Sequence, residues 1–219
     1  MFIRSERLFL RPGWPEDWQD LLGAIADEGV IRNLARAPWP YGAADAQAFA
    51  RLPQNPRVPH FVVTLPGSGP DARGAALIGG AGFHAVPDGA GTAIELGYWI
   101  APRFQGRGFA TEAVRALLRL APVLGFERVR AHHFLDNPAS GRVLKKAGFV
   151  ATGEVAVRPS LARAEPSPAA TYEIAIERAN DDEPGEPDSA AMRRLLGGYG
   201  YPLAGLTGPG ATTMTIRAA

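Results

Sequence analysis

The chain contains no cysteine among its 219 residues. This absence excludes a disulfide scaffold, a zinc–thiolate site and a cysteine nucleophile. Long apolar runs are also missing, and residues 1–6 lack the apolar segment of a signal peptide. The net charge is only +1, so the sequence lacks the basic excess of a nucleic-acid-binding protein. We therefore expect a cytoplasmic globular protein that binds neither nucleic acid nor a membrane.

The length allows one large domain followed by an appendage. Hydrophobic residues make up 46% of the chain, which is enough to build a core. From residue 180 the composition changes to an acidic, proline-rich stretch and then a glycine-rich tail. We predict a domain over 1–179, and a linker and C-terminal tail over 180–219.

Hydrophobic periodicity indicates alternating strands and helices. Strands are predicted at 2–10, 60–65, 75–83, 94–100, 127–134, 149–158 and 171–176, and the clearest helices at 15–27, 109–121 and 138–147. A strand–helix–strand crossover at 94–134 predicts two parallel strands within a mixed sheet. The pattern favours an α/β (α+β) fold.

A glycine- and arginine-rich loop lies between the strand at 94–100 and the helix at 109–121. The free N–H groups and the dipole of a helix N-terminus favour an anion at this place. Gly106 and Gly108 let the backbone approach the anion, and Arg103 and Arg107 add positive charge. The loop therefore predicts a site for a phosphorylated cofactor.

Two other nucleotide-binding motifs fit this pattern less well. Gly106, Gly108 and Thr111 nearly form the dinucleotide fingerprint, but the third glycine is missing and repeated strand–helix–strand units do not follow. A P-loop is excluded because the chain contains no Gly-Lys-Ser/Thr sequence.

Four blocks resemble the GNAT family of acetyl-CoA-dependent N-acetyltransferases. Residues 105–110 (QGRGFA) fit the family's phosphate loop, Gln/Arg-x-x-Gly-x-Gly/Ala, and residues 136–149 (DNPASGRVLKKAGF) are similar to its Asn-x-x-Ser…Gly-Phe helix. Residues 6–12 (ERLFLRP) and 94–100 (IELGYWI) resemble the branch that acetylates the N-termini of ribosomal proteins. The blocks stand in the expected order and cover about residues 2–178.

The resemblance implies a mostly antiparallel central sheet with helices on both faces. The sheet splays where acetyl-CoA binds, and the reaction needs no metal. The implied cofactor-binding residues are Ile100, Arg103, Gln105, Gly106, Arg107, Gly108, Phe109, Ala110, Thr111, Asn137 and Ser140. Arg142, Lys145 and Lys146 either reach the 3′-phosphate of CoA or form a solvated helix face.

Three residues carry the implied catalysis. The backbone N–H of Ile100 either stabilises the oxyanion or makes an ordinary ladder bond. Glu95 either takes the proton of the amine through water or pairs with an arginine such as Arg130. Ser140 either protonates the leaving thiolate or is a plain helix residue, and Asn137 either contacts the pantetheine arm or caps its helix.

For the acceptor we expect contacts from Trp39, Tyr41, Glu95 and His133. His133 is either a base or substrate contact, or a half-buried strand histidine. The predicted function is transfer of an acetyl group to a primary amine in a ternary complex, and the resemblance points to the α-amino group of a protein or peptide. Alternatives are a small-molecule acetyltransferase and a non-catalytic CoA-binding sensor or scaffold of the same fold. A homodimer is left open.

Overall fold

Eight β-strands form one sheet in the computed structural model, which describes residues 1–69, 74–89 and 91–177. They are β1 (Ile3–Arg4), β2 (Phe9–Arg11), β3 (His60–Pro66), β4 (Ala75–Asp88), β5 (Gly91–Ile100), β6 (Arg128–Phe134), β7 (Val150–Arg158) and β8 (Ser167–Ala175). Their order across the sheet is β1-β2-β3-β4-β5-β6-β8-β7. Neighbouring strands are antiparallel except β5 and β6, which are parallel as the crossover predicts.

Helices cover both faces of this sheet. Within the described ranges they are α1 (Trp18–Ile25), α2 (Glu28–Ile31), α3 (Ala43–Ala50), α4 (Phe109–Leu120) and α5 (Pro138–Ala147). Strand alternation separates two cores: Phe61 and Val63 of β3 point into the core that contains α4 and α5, whereas Val62 packs with α1, α2 and α3. The predicted fold class, a mixed sheet between two helical layers, is confirmed.

The two helices beside β5 and β6 begin and end where the sequence signals them. In α4, Ala113, Val114 and Leu117 are fully buried at helical spacing. The side chain of Asn137 caps α5 by accepting a hydrogen bond from the N–H of Ser140 at 3.3 Å. Gly148 ends α5 with φ +102°, a conformation that L side chains rarely adopt.

The sheet opens between β5 and β6. In the described part of the chain these strands share one bridge, between Glu95 and Arg130, although β5 continues to Ile100 and β6 to Phe134. Helix α4 connects the two strands and packs under the gap, with Phe109 at its start. The predicted splay of the sheet is therefore present.

Several predicted boundaries are wrong. The strand expected at 2–10 is a hairpin of β1 and β2, because Ser5 forms a tight turn with Leu8 through backbone and hydroxyl hydrogen bonds of 3.0–3.3 Å. Strand β4 extends to Asp88 because its part from Gly79 to Asp88 pairs with the whole of β5. The predicted linker and tail over 180–219 lie outside the described residues.

Candidate active site

A cavity of about 330 Å³ lies at the open edge of β5. Its walls come from α2 and the following turn, the end of β5, the loop that leads into α4, and α5. The lining residues are Gly29, Val30, Asn33, Leu34, Tyr98, Trp99, Ile100, Phe104, Gln105, Gly106, Gly108, Phe109, Ala110, Thr111, Asn137, Ala139, Ser140, Arg142, Val143 and Lys146. Arg142 and Lys146 are the charged residues in this set, so the lining is cationic.

The backbone of Ile100 faces the gap between β5 and β6. The N–H of Ala101 donates to the carbonyl of Ile78, directly opposite in β4, at 2.8 Å. In an antiparallel pair, the backbone N–H and C=O of successive residues point alternately toward the partner strand and away from it. Those of Ala101 point toward β4, so those of Ile100 point away from it. The side chain of Gln105 donates to that carbonyl at 2.8 Å, which leaves the N–H directed at the cavity.

The loop before α4 provides a second set of backbone donors. Gly106 and Gly108 have φ values of +74° and +81°, and Gly108 is the N-cap of α4. Glycine offers no side chain to cap the helix, and no other capping side chain is found among the described residues. The first-turn N–H groups of Phe109, Ala110 and Thr111 therefore lie beside the cavity without intrahelical partners.

The β1–β2 turn holds this loop in place. Arg7 donates to the carbonyl of Arg107 at 3.2 Å, pairs with Glu112 at 2.7 Å and lies over the ring of Phe109. Burial raises the pKa of Glu112, but hydrogen bonds from Ser5 and Arg7 outweigh it, so the pKa lies below its usual range. Glu112 therefore stays ionised, and the positive charge of Arg7 neutralises it beside the first-turn amides of α4.

On the opposite wall, Ser140 forms a hydrogen-bonded pair with Tyr98. The Tyr98 hydroxyl lies 2.7 Å from Oγ of Ser140 and 2.9 Å from its carbonyl oxygen. Burial raises the pKa of Tyr98 to about 12, so its hydroxyl stays protonated near neutral pH. Both hydroxyls border the cavity and can supply a proton there.

Asn137 both caps α5 and borders the cavity. Its Oδ1 accepts from the N–H of Ser140, and its Nδ2 keeps two hydrogens to donate. The two roles considered from the sequence are therefore compatible.

Glu95 lies on the other face of the sheet, outside the cavity lining. Its carboxylate is 12% exposed and contacts Nη1 of Arg158 at 3.1 Å and Nδ1 of His132 at 3.5 Å. The arginine partner suggested by the sequence, Arg130, instead pairs with Asp88 and Glu173. Glu95 therefore pairs with an arginine of β7, Arg158, and not with Arg130.

The structure places five other predicted residues away from the cavity. Arg103 lines a separate cavity near α1, and both its guanidinium and that of Arg107 lie over the ring of Phe104. Tyr41 is 9% exposed and packs in the core with α1–α3, while Trp39 is 42% exposed. His133 packs closely on α5 at Gly141: a Cβ built on that glycine would lie 2.5 Å from Nε2 of His133.

Three features of this region were not predicted from the sequence. Tyr98 lies in the strand predicted at 94–100, and its buried hydroxyl needs a hydrogen-bond partner, which Ser140 provides. The turn after α2 supplies Asn33 and Leu34 to the cavity wall, which no local motif indicates. His132, rather than His133, is the histidine that lies beside Glu95.

The described part of the chain contains no cluster of three or more His, Cys, Asp or Glu side chains arranged for a metal ion. Nor does it contain a helix long and apolar enough to cross a membrane.

Comparison with known proteins identifies the family. The family model of the acetyltransferase (GNAT) domain matches residues 7–150. The uncharacterized N-acetyltransferase YoaA of Bacillus subtilis is 41% identical over 155 residues, which cover 69% of this chain and 84% of that protein. The chain therefore belongs to the GNAT acetyltransferase family and is an acetyl-CoA-dependent acyltransferase.

Solved structures share the fold. A GNAT-family acetyltransferase from Bacillus anthracis has a TM-score of 0.65 at 24% identity, over 81% of this chain and all of that one. RimL, a ribosomal L7/L12 alpha-N-protein acetyltransferase, has a TM-score of 0.64 at 19% identity, over 80% of this chain and 98% of that one. Spermidine N-acetyltransferase from Vibrio cholerae has a TM-score of 0.62 at 18% identity, over 78% of this chain and 97% of that one.

We expect Gly108→Ala to weaken acetyl-CoA binding. A Cβ at φ +81° strains the backbone by about 1–2 kcal/mol and disturbs the amides that face the anion, so the Kd should rise about 10-fold or more. Isothermal titration calorimetry measures it. Gly125→Ala is the matched control: φ is +76° there, no atom of the described chain lies within 4 Å of the built Cβ, and the residue is outside the cavity lining. Equal effects of the two variants on Kd would contradict the assigned role of the loop.

Proposed function

We propose that this protein transfers the acetyl group of acetyl-CoA to the α-amino group at the N-terminus of a protein or peptide. The observation that carries the transfer chemistry is the open edge of β5, where the Ile100 N–H and the Tyr98–Ser140 hydroxyl pair border one cavity. The acceptor class rests on the charges around Glu95.

The cavity fits the parts of acetyl-CoA. The first-turn amides of α4 are suited to the pyrophosphate, and Arg142 and Lys146 supply positive charge for the remaining phosphate. The exposed β5 edge and Nδ2 of Asn137 offer hydrogen bonds to the amides of the pantetheine arm. Each assignment uses a group that already faces the cavity.

Residues at and beside the end of β5 are placed to stabilise the negative charge that develops on the carbonyl oxygen and on the leaving sulfur during transfer. When the amine adds to the thioester carbon, the carbonyl oxygen becomes negative, and the Ile100 N–H is placed to stabilise it. When the C–S bond breaks, Oγ of Ser140 gives its proton to the sulfur. The neighbouring Tyr98 hydroxyl, which lies 2.7 Å from Oγ and is protonated at neutral pH, supports that donation.

The surroundings of Glu95 favour an amine that loses its proton easily. Arg158 neutralises the carboxylate, so this face carries little net negative charge to attract a polycation. An α-amino group has a pKa of about 7.7–8.0, against about 10.4 for an alkylamine such as lysine. At pH 7.5 about a third of the α-amines are already neutral, against about 0.1% of the alkylamines.

The fold alone does not separate the acceptor classes, because the similar structures include both a protein N-terminal enzyme and a polyamine enzyme. A small-molecule amine is therefore the second candidate, because a polyamine acetyltransferase shares the fold. The charge pattern at Glu95 supports the peptide.

The acceptor class is tested with a panel of amines. We expect kcat/KM for short peptides with free N-termini to exceed that for spermidine by about 100-fold or more at pH 7.5, because a larger fraction of the α-amine is neutral at this pH. The control peptide has a blocked N-terminus and an internal lysine, and it should not react. Faster turnover of spermidine than of every peptide would contradict the peptide proposal.

The proton donor is tested with Ser140→Ala and Tyr98→Phe. We expect Ser140→Ala to lower kcat by roughly 10²-fold, within the range of general acid catalysis, and Tyr98→Phe to have a smaller effect. The Kd for acetyl-CoA should change less than threefold in both, as calorimetry can verify. Unchanged kcat in Ser140→Ala would remove this residue from the mechanism.

A further inference from the structure

Register places His132 closer to the open edge of β5 than Glu95. Because β5 and β6 are parallel and Glu95 pairs with Arg130, His132 is level with Gly97. It is thus two residues, or about 7 Å, farther along the sheet toward Ile100. Glu95, Gly97 and His132 share the face opposite α4, since their neighbours Leu96, Tyr98 and Ala131 belong to the core on the α4 side.

Four side chains from different strands meet at this place. The half-buried ring of His132 directs Nδ1 at Oε2 of Glu95, at 3.5 Å. Arg158 of β7 holds the other carboxylate oxygen at 3.1 Å. His84 of β4 lies over Gly97: a Cβ built on Gly97 would be 3.3 Å from Nε2 of His84. The glycine therefore leaves room for the His84 ring at the level where the strands begin to separate.

We propose that His132 is the general base of the acetyl transfer and that Glu95 is its positioning residue, held by Arg158. The proposal rests on the proposed function and identifies the group that receives the proton of the amine. Catalytic hydrogen bonds are often long without substrate, so 3.5 Å between Nδ1 and Oε2 suits a contact that tightens in the ternary complex.

The charges around His132 suit this role. A carboxylate that accepts from Nδ1–H leaves the lone pair on Nε2, which can then take a proton. Burial lowers the pKa of His132, Glu95 opposes that shift, and Arg158, His133 and His84 reinforce it. The imidazole is therefore neutral near pH 7. Glu95 is the weaker candidate because its carboxylate is already bound by a guanidinium.

In the proposed transfer, His132 accepts one proton, and Ser140 donates one and regains one. Nε2 of His132 removes a proton from the ammonium group of the acceptor, and the nitrogen lone pair forms the C–N bond. The C–S bond breaks, the sulfur receives a proton from Ser140, and Ser140 recovers one from the second N–H of the nitrogen through solvent. The imidazolium then releases its proton to water, so the products are the N-acetyl amine, free CoA and one proton.

Turnover with a peptide acceptor gives the first test. We expect His132→Ala to lower kcat by roughly 10²–10⁴-fold and to recover activity with added imidazole, which Glu95→Ala should not. His60→Ala is the matched control, because His60 is also a partly buried strand histidine with a pKa lowered by burial, and it lies outside the site. Its kcat should stay within about twofold. A kcat of His132→Ala within threefold of the wild type would overturn the proposal.

A second test needs no turnover. Nitrogen-15 NMR of histidine-labelled protein, assigned with His132→Gln, reports the tautomer of each of the four histidines. We expect His132 at pH 7 to be neutral, with the proton on Nδ1, and to lose that preference in Glu95→Gln. A protonated Nε2 at pH 7 would overturn the assignment. If the wild type acetylates no amine, the proposed function fails, and the NMR result still decides whether His132 is poised as a base.

Discussion

The site depends on the single bridge that joins β5 to β6 in the described part of the chain. A parallel pair that continued to Ile100 would satisfy the backbone of β5 and close the cavity. Because pairing stops at Glu95, the last part of β5 keeps polar groups directed at a gap. The same separation brings the N-terminus of α4 under the gap, since α4 connects the two strands. One interruption in a ladder thus exposes the β5 edge beside the helix-terminal amides of α4.

Strand alternation then divides the chemistry between the two faces of the sheet. Tyr98 and Ser140 lie with α4 and α5, where the thioester sulfur is expected, whereas Glu95, His132 and Arg158 lie on the opposite face. An amine that approaches from the second face would meet His132, the proposed base, before it reaches the carbonyl carbon. In the proposed mechanism the sheet therefore separates the proton acceptor, His132, from the proton donor, Ser140.

Local sequence signals predict the fold better than they predict the site. The spacing of Ala113, Val114 and Leu117, and the caps at Asn137 and Gly148, are local properties, so α4 and α5 were correctly predicted. The partner of Glu95 was not, because Arg158 reaches it from a strand 63 positions later in the chain, and its position depends on how β7 and β8 fold back. Likewise, His133 rather than His132 was expected at the acceptor site, because the local sequence does not determine which of two adjacent strand residues faces Glu95.

Amide hydrogen exchange along β5, followed by NMR with and without acetyl-CoA, tests the central claim most directly. The account predicts that the N–H groups of Tyr98 and Ile100, and those of the first turn of α4, exchange rapidly in the free protein. Acetyl-CoA should slow them strongly, while amides of β3 remain unchanged. Slow exchange at Ile100 without ligand, or exchange that acetyl-CoA does not alter, would contradict the open edge as the place where the acetyl donor binds.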